Sequence, residues 1–307
     1  MSNTPFFSII IPTYNRAHLI RETIHCVLAQ TFADFELILI DDASTDDTAS
    51  VIQEIDDSRI RYIKNEKNLE RSASRNKGIV LAQGEFICFC DSDDHWKPEH
   101  LDLIRKTIED NKFQDAFYFT GMTWCFPDGR QEVIFPKPTG NLFEYVIKHQ
   151  IGTPTTCFSK TILNNHVFNT DLKINEDVEL FARIVANFNL IQIPVSTVNV
   201  QIHNENTKAL TKDYISPQIK AIELIFQNPK LKNKISNPFK KEKRRNLDHQ
   251  LIRYLAATDQ RTKLCLKSLR FIFRYPNDPT MKEKIVFLAY NMPGGKWIQA
   301  IAQIVKK

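Results

Sequence analysis

At 307 residues and 42% hydrophobic composition, the chain can bury a substantial core, as one large domain or as a domain with an appendage. Six scattered cysteines with no CxxC pair exclude a disulfide framework and point to a reducing, cytoplasmic compartment, and the longest apolar run near the end, Ile285 to Tyr290, is too short to span a bilayer. The net charge of +5 divides unevenly: residues 1–215 carry 21 Lys and Arg against 30 Asp and Glu, a balance of −9, and residues 216–307 carry 20 against 6, a balance of +14.

The chain begins without a basic stretch before an apolar core in Met1 to Pro12, so no signal peptide is expected. Phe6 to Ile11 reads as a β-branched strand ended by Pro12, and Ala17 to Gln30 as a helix. Phe35 to Ile40 is a second strand, running into Asp41-Asp42, and Thr48 to Ile55 a helix capped from Ser44 to Asp47. Ile60 to Ile63 is a strand, Ser72 to Ala82 a helix closed by Gly84, and Glu85 to Cys90 a buried strand. This alternation predicts βαβ units in a parallel, Rossmann-like α/β sheet.

The pattern then changes. Leu101 to Asn111 reads as a helix, and Ala116 to Phe126 with Gln131 to Phe135 as a hairpin turning at Pro127-Asp128-Gly129-Arg130. A helix from Asn141 to Lys148, a strand from Thr155 to Ser159, a helix from Glu176 to Ala186 and two strands, Leu190 to Ile193 and Val198 to Ile202, follow. A mixed central sheet is therefore expected, with a domain over 1–215. Beyond Ser216-Pro217 only helices are read, interrupted by Pro229, Pro238, Pro276, Pro279 and Pro293, which makes 216–307 a basic helical region.

Asp91-Ser92-Asp93-Asp94 puts three carboxylates into four residues after a core strand. Like charges at that spacing repel, and a hard divalent cation, Mg²⁺ or Mn²⁺, relieves them. The alternative is an acidic turn, with Asp94 near an N-cap and Pro98 in the first helical turn. Asp41-Asp42 closes a second strand, and Glu176-Asp177 opens a late helix.

With Ser8 to Arg16, Asn68 to Gly78 and Gly152 to Thr156, these motifs in this order resemble the family 2 glycosyltransferases of bacterial surface-polysaccharide synthesis, over roughly residues 6 to 205. The resemblance implies the A-type nucleotide-sugar transferase fold and an inverting, metal-dependent transfer from a nucleotide-diphosphate sugar, uridine-linked by preference, to a hydroxyl of a glycan or lipid-linked acceptor. Pro12, Tyr14, Arg16, Asp41, Asp42, Arg75, Asp91, Ser92 and Asp93 are then the nucleotide-sugar residues, with Asp93 and His203 at the metal. Asp177 is the general base, and Thr153, Pro154, Thr155 and Glu176 are on the acceptor side. Two residues depart from the pattern: Glu70 stands where Gly is usual and Ser74 where Ala is usual. Asp42 as a helix cap, Arg75 as a structural ion pair and His203 as a structural imidazole are the competing readings.

Lys240 to Arg245 opens the basic region. Leu266, Leu269, Phe271, Ile272 and Phe273 alternate there with Lys267, Arg270 and Arg274, and Trp297 to Lys307 reads as a last helix. Such a surface suits an anionic membrane, which would place the protein in the cytoplasm or peripherally on the inner face of the cell membrane. A helical subdomain with a solvated basic face is the plain alternative. No nucleic-acid partner is expected, because no base-reading module is present. A non-catalytic nucleotide-sugar binder or a membrane-docking relative is the competing function.

Overall fold

The computed structural model describes residues 4–135, 137–149, 151–203, 214–258, 261–275 and 278. It divides into two compact units, Met1–Lys212 with Ala221–Ile235, and Asp213–Lys220 with Ser236–Lys307. The first is built on a nine-stranded mixed sheet ordered β3-β2-β1-β4-β8-β6-β9-β5, with β7 on the side of β6.

β1 (Phe7–Thr13), β2 (Phe35–Asp41), β3 (Ile60–Lys64) and β4 (Phe86–Phe89) run parallel. β1, β2 and β4 are near-continuous apolar runs because helices cover both faces of a parallel sheet. The helices are α1 (Ile20–Leu28), α2 (Thr48–Gln53) and α3 (Glu70–Leu81). α3 lies tight on β1: a Cβ at Gly78 would stand 2.5 Å from Ile10 Cγ2. β1 has β2 on one side and β4 on the other, so the chain order reverses about it. Ligands bind outside the carboxyl ends of the strands at such a switch point.

The second half adds β5 (Asp94–Trp96), α4 (His100–Asp110), β6 (Ala116–Cys125), β7 (Gln131–Ile134), α5 (Leu142–His149), a 3₁₀ turn (Thr153–Thr155), β8 (Thr156–Ser159), α6 (Lys160–Asn165), α7 (Glu176–Ile184) and β9 (Asn189–Gln201). β8 is antiparallel to β4 and β6, and β9 is parallel to β6. Two expectations are corrected. Asp94 caps no helix; it opens β5, which pairs antiparallel with β9, and Glu99 holds the N-cap position of α4. The two late strands are one. Phe119 pairs with Gln192, Gly121 with Ser196 and Met122 with Val198, so β9 bulges against β6 around Pro194, where a missing N–H costs no ladder bond.

In the second unit, α9 (Asn237–Ala257) and α10 (Arg261–Arg274) pack around Leu251, Ile252, Leu255, Leu264, Phe271 and Tyr275. Ser236 caps α9 by accepting from Phe239 N at 3.3 Å, with Pro238 in the first turn, where the missing donor is harmless. Ser216 and Pro217, the expected boundary, fall in the first turn of α8 (Ile215–Gln227). Pro276, Pro279, Pro293, the Ile285 to Tyr290 run and the last-helix expectation over Trp297 to Lys307 lie outside the described residues. No helix among the described residues is long and apolar enough to cross a membrane.

Candidate active site

The ends of β1, β2 and β4 open into a cleft of about 530 Å³. Pro12, Thr13, Tyr14 and Arg16 form its first wall, with the Tyr14 ring 44% exposed. The loop is pinned to the one after β2: Asn15 N donates to Ser44 Oγ at 2.9 Å, Arg16 N to Thr48 Oγ1 at 2.8 Å, and Asn15 Oδ1 accepts from Thr45 N at 2.8 Å.

Asp41 and Asp42 have different surroundings. Asp41 is fully buried; its carboxylate accepts from Ser44 N at 2.8 Å and from Tyr62 Oη at 2.6 Å, and it does not line the cleft. Burial and then that bond push the Tyr62 hydroxyl well above its ordinary pKa. Asp42 does line the cleft, and its Oδ1 accepts from Asn65 Nδ2 at 2.8 Å and Leu69 N at 2.9 Å.

Asp91, Ser92, Asp93 and Asp94 form the floor beyond β4. Asp93 Oδ2 lies 3.0 Å from His203 Nε2, although 110 residues separate them. Burial, followed by Asp91 and Asp93, holds the Asp94 carboxyl well above the usual carboxylate range. The available donors are carboxylate oxygens and one imidazole, with Asp93 and His203 close enough to share one cation, which fits Mg²⁺ or Mn²⁺ better than a thiolate-seeking metal.

Arg75 ties the cleft to α7. It is 2% exposed, its Nη2 reaches Asp91 Oδ1 at 2.6 Å, and its Nη1 reaches Glu176 Oε1 at 3.0 Å. Burial opposes its charge, but Asp91 and Glu176 override that and raise its pKa. Asp177, next to Glu176, is half-buried, and Val178 N donates to its Oδ1 at 2.7 Å. Burial and then Glu176 raise its pKa to about 6, against the pull of Val178 N, Arg75 and Arg71.

The expected acceptor residues are placed differently. Glu176 is 4% exposed and engaged by Arg75, with Arg71 Nε 3.5 Å away, because a buried carboxylate needs its cations. Thr153 and Thr155 are buried, Pro154 O accepts from Trp96 Nε1 at 3.0 Å, and none of the three lines the cleft. Thr13, Asn68 and Arg71, which lay in the quoted motifs without a role of their own, also line the cleft, as does Val200, with Asn65 one step behind. Asn65 follows Lys64, the last residue of β3 and the register partner of Asp41, and Asn65 N donates to Asp41 O at 2.8 Å, so sheet register would have flagged it. Thr13 Oγ1 and Arg75 Nε are buried without a hydrogen-bond partner, so the cleft holds polar capacity that its own chain does not satisfy.

The glycosyl transferase family 2 model matches residues 8–166. WcaA of Escherichia coli K12, named for colanic acid biosynthesis, is 31% identical over 61% of this chain and 69% of its own length. The UDP-Glc:α-D-GlcNAc-diphosphoundecaprenol β-1,3-glucosyltransferase WfgD of Escherichia coli is 32% identical over 61% of this chain and 72% of its own. Among solved structures, Staphylococcus aureus TarS in complex with UDP-GlcNAc superposes with a TM-score of 0.60 at 19% identity over 87% of this chain and 81% of that one. The mannosyltransferase PcManGT of Pyrobaculum calidifontis, in complex with GDP-Man and Mn²⁺, gives 0.61 at 16% identity over 98% and 79%. These two share the A-type glycosyltransferase fold with the chain. The matched stretch takes in β1, β2, α3 and the floor beyond β4, the elements that build the cleft, and the chain belongs to glycosyl transferase family 2.

Proposed function

We propose that the chain moves a sugar, with inversion, from a nucleotide-diphosphate donor, uridine-linked, to a hydroxyl of a glycan or lipid-linked acceptor in polysaccharide biosynthesis. The observation that carries this reading is the Arg75 bridge, which sets Glu176-Asp177 beside the carboxylates of the donor floor. Tyr14 offers a ring face to the base, and Asp42, whose Oδ1 is held by Asn65 and Leu69, offers its second oxygen to an imide or ribose donor. Asp93 with His203 would hold a divalent cation, which supplies Lewis acidity to the donor diphosphate when bound. Asp177, with its pKa raised to about 6, is ionised at neutral pH yet basic enough to take the acceptor proton as the hydroxyl oxygen attacks the anomeric carbon. The acceptor class is supported by the name of WfgD and the donor by the TarS complex. Residues 216–307, at +14, would dock on the anionic inner face of the membrane.

A panel of nucleotide sugars screened for hydrolysis, with Mn²⁺ and then with EDTA, tests the reading. Asp93→Ala abolishes metal-dependent nucleotide binding. Asp177→Asn keeps donor binding and lowers transfer by roughly 10²–10⁴, the usual contribution of a general base. Transfer by Asp177→Asn at the parent rate overturns the base assignment, and nucleotide binding without turnover of any donor favours the non-catalytic relative.

A further inference from the structure

Ser74 is one of the two residues that depart from the family pattern, a hydroxyl where the usual Ala carries only a methyl. It stands one turn before Gly78 on α3, so the two share one face of the helix. Gly78 brings that face tight onto β1, and Ser74 is 1% exposed yet lines the donor cleft. The extra oxygen therefore lies in the seam between α3 and the strand ends, where a buried polar atom needs partners.

Its partner is Asn65, the residue after β3. Asn65 is 5% exposed and held at both ends: its N donates to Asp41 O at 2.8 Å, and its Oδ1 accepts from Lys77 Nζ at 2.8 Å. An ammonium can only donate, so Lys77 fixes which way the amide faces. The two hydrogens of Nδ2 then go to Asp42 Oδ1 at 2.8 Å and to Ser74 Oγ at 3.3 Å. One amide thus holds Asp42 and Ser74 side by side, and both line the cleft. Leu69 N gives Asp42 Oδ1 a second donor at 2.9 Å, which leaves the other carboxylate oxygen as an acceptor. Ser74 Oγ accepts from Asn65, and among the described residues no acceptor takes its own proton.

The cleft therefore presents an acceptor beside a donor. The base edge that answers this pair carries an N–H next to a C=O. Uracil and thymine have that arrangement in their imide, and guanine has it in its lactam. Cytosine and adenine put a ring nitrogen acceptor in the place of the N–H, where it would face the carboxylate and be rejected.

We infer that Ser74 is a base-reading residue: its hydroxyl donates to the ring carbonyl beside the N–H that Asp42 accepts, and Asn65 and Lys77 are the positioning residues that aim the pair. This rests on the uridine-linked donor proposed above and adds the residue that reads the carbonyl. Ala at this position leaves that carbonyl to water, so the hydroxyl sharpens a preference that Asp42 sets.

Isothermal titration of the full chain, in Mn²⁺, with UDP, 2-thio-UDP, 4-thio-UDP and CDP tests it. Sulfur accepts hydrogen bonds weakly, so the parent should bind one of the two thio nucleotides about 5- to 10-fold more weakly than UDP, the size of one hydrogen bond. Ser74→Ala should weaken UDP by the same factor and bind UDP and that thio nucleotide within about twofold of each other. CDP should bind more weakly than UDP to the parent, and Ser74→Ala should leave its affinity unchanged, because Asp42 is what rejects it. Equal binding of UDP and both thio nucleotides by the parent, or a thio preference that survives Ser74→Ala, overturns the role of Ser74. A preference that vanishes while UDP affinity stays at the parent value also overturns it and assigns the effect to the size of sulfur. A parent that binds GDP and not UDP counts against the uridine reading alone, and GDP against 6-thio-GDP then reads the same hydroxyl. A parent that binds no nucleotide overturns both.

Discussion

Glu70 shows what a single residue costs this site. It adopts φ +70°, where Cβ crowds the carbonyl, and Asn15, Ala43 and Asn175 share that left-handed conformation around the same cleft. The family's usual Gly at this position was legible in the sequence; the backbone angle behind it was not. Glu70 keeps an ion pair with Lys173 at 3.0 Å, but both side chains are more than half exposed, so the pair contributes well under ~1 kcal/mol. The left-handed conformation costs roughly 1–2 kcal/mol. Strain therefore outweighs the pair, and Glu70→Gly should raise stability by up to about 1 kcal/mol, read as a higher urea midpoint at unchanged slope. A second residue-scale prediction concerns His100, which is fully buried against Trp96. Thr197 Oγ1 donates to Thr120 Oγ1, so it must accept from His100 Nδ1–H at 2.6 Å, which leaves Nε2 buried with no acceptor for a second proton. Burial lowers the His100 pKa to about 3. The unfolded chain takes up its proton near pH 6.5 and the folded chain does not, so stability is complete above about 6.5 and falls as the pH drops, by on the order of 2 kcal/mol by pH 5. Calorimetric melting across that range should show the slope, and His100→Gln should flatten it.

At the scale of elements, the parallel half was legible and the antiparallel half only in part. β1, β2 and β4 are buried on both faces, and such runs announce themselves. That same uniform burial hid the difference between Asp41 and Asp42, because a strand without alternation gives no phase for deciding which carboxylate faces the cleft. β5 is three residues long and carries an acid and a histidine; only its pairing with β9 makes it a strand. Leu190 to Ile193 and Val198 to Ile202 read as two strands because the bulge that joins them depends on β6, far away in sequence. The element-scale claim that matters most is that α3 joins the strand floor to α7 through Arg75. Arg75→Met leaves Glu176 with only Arg71, at 3.5 Å, among the described residues and takes from Asp91 the Arg75 cation; because Asp91 is partly solvated, the loss should be about 2–3 kcal/mol, below that of a fully buried pair. Arg75→Lys keeps the charge but cannot span both carboxylates, and should cost less. Arg75 also pulls down the Asp177 pKa. Transfer by the parent should rise with pH through about 6 as Asp177 ionises, and in Arg75→Met the midpoint should move to higher pH. A pH–rate profile that loses height without moving would leave Arg75 as a strut only.

At the scale of the whole molecule, the charge division read from the sequence is −9 over residues 1–215 and +14 over 216–307, and among the described residues of the second unit it shows on α10. α10 holds Arg261, Lys263, Lys267, Arg270 and Arg274 and no acidic residue. Leu264, Phe271 and Tyr275 face its core, while Lys263, Leu266, Arg270 and Arg274 face water, with Leu266 56% exposed. A helix that only needed solubility would mix both signs, as exposed helix faces usually do. Each cation near an anionic leaflet is worth about 1 kcal/mol, and that gain fades as the screening length shrinks from about 10 Å at ~0.1 M salt to about 3 Å at ~1 M. The docking proposed for residues 216–307 therefore predicts a salt-sensitive partition. The full chain should sediment with vesicles holding about a third anionic lipid at ~0.1 M salt, stay in the supernatant with zwitterionic vesicles, and release at ~1 M. The double change Lys263→Glu with Arg270→Glu alters two exposed positions, so the fold should survive while vesicle binding drops. Sedimentation that ignored both salt and the double change would mean that the basic face serves only to keep the second unit in solution, and that the acceptor is met without the membrane's charge.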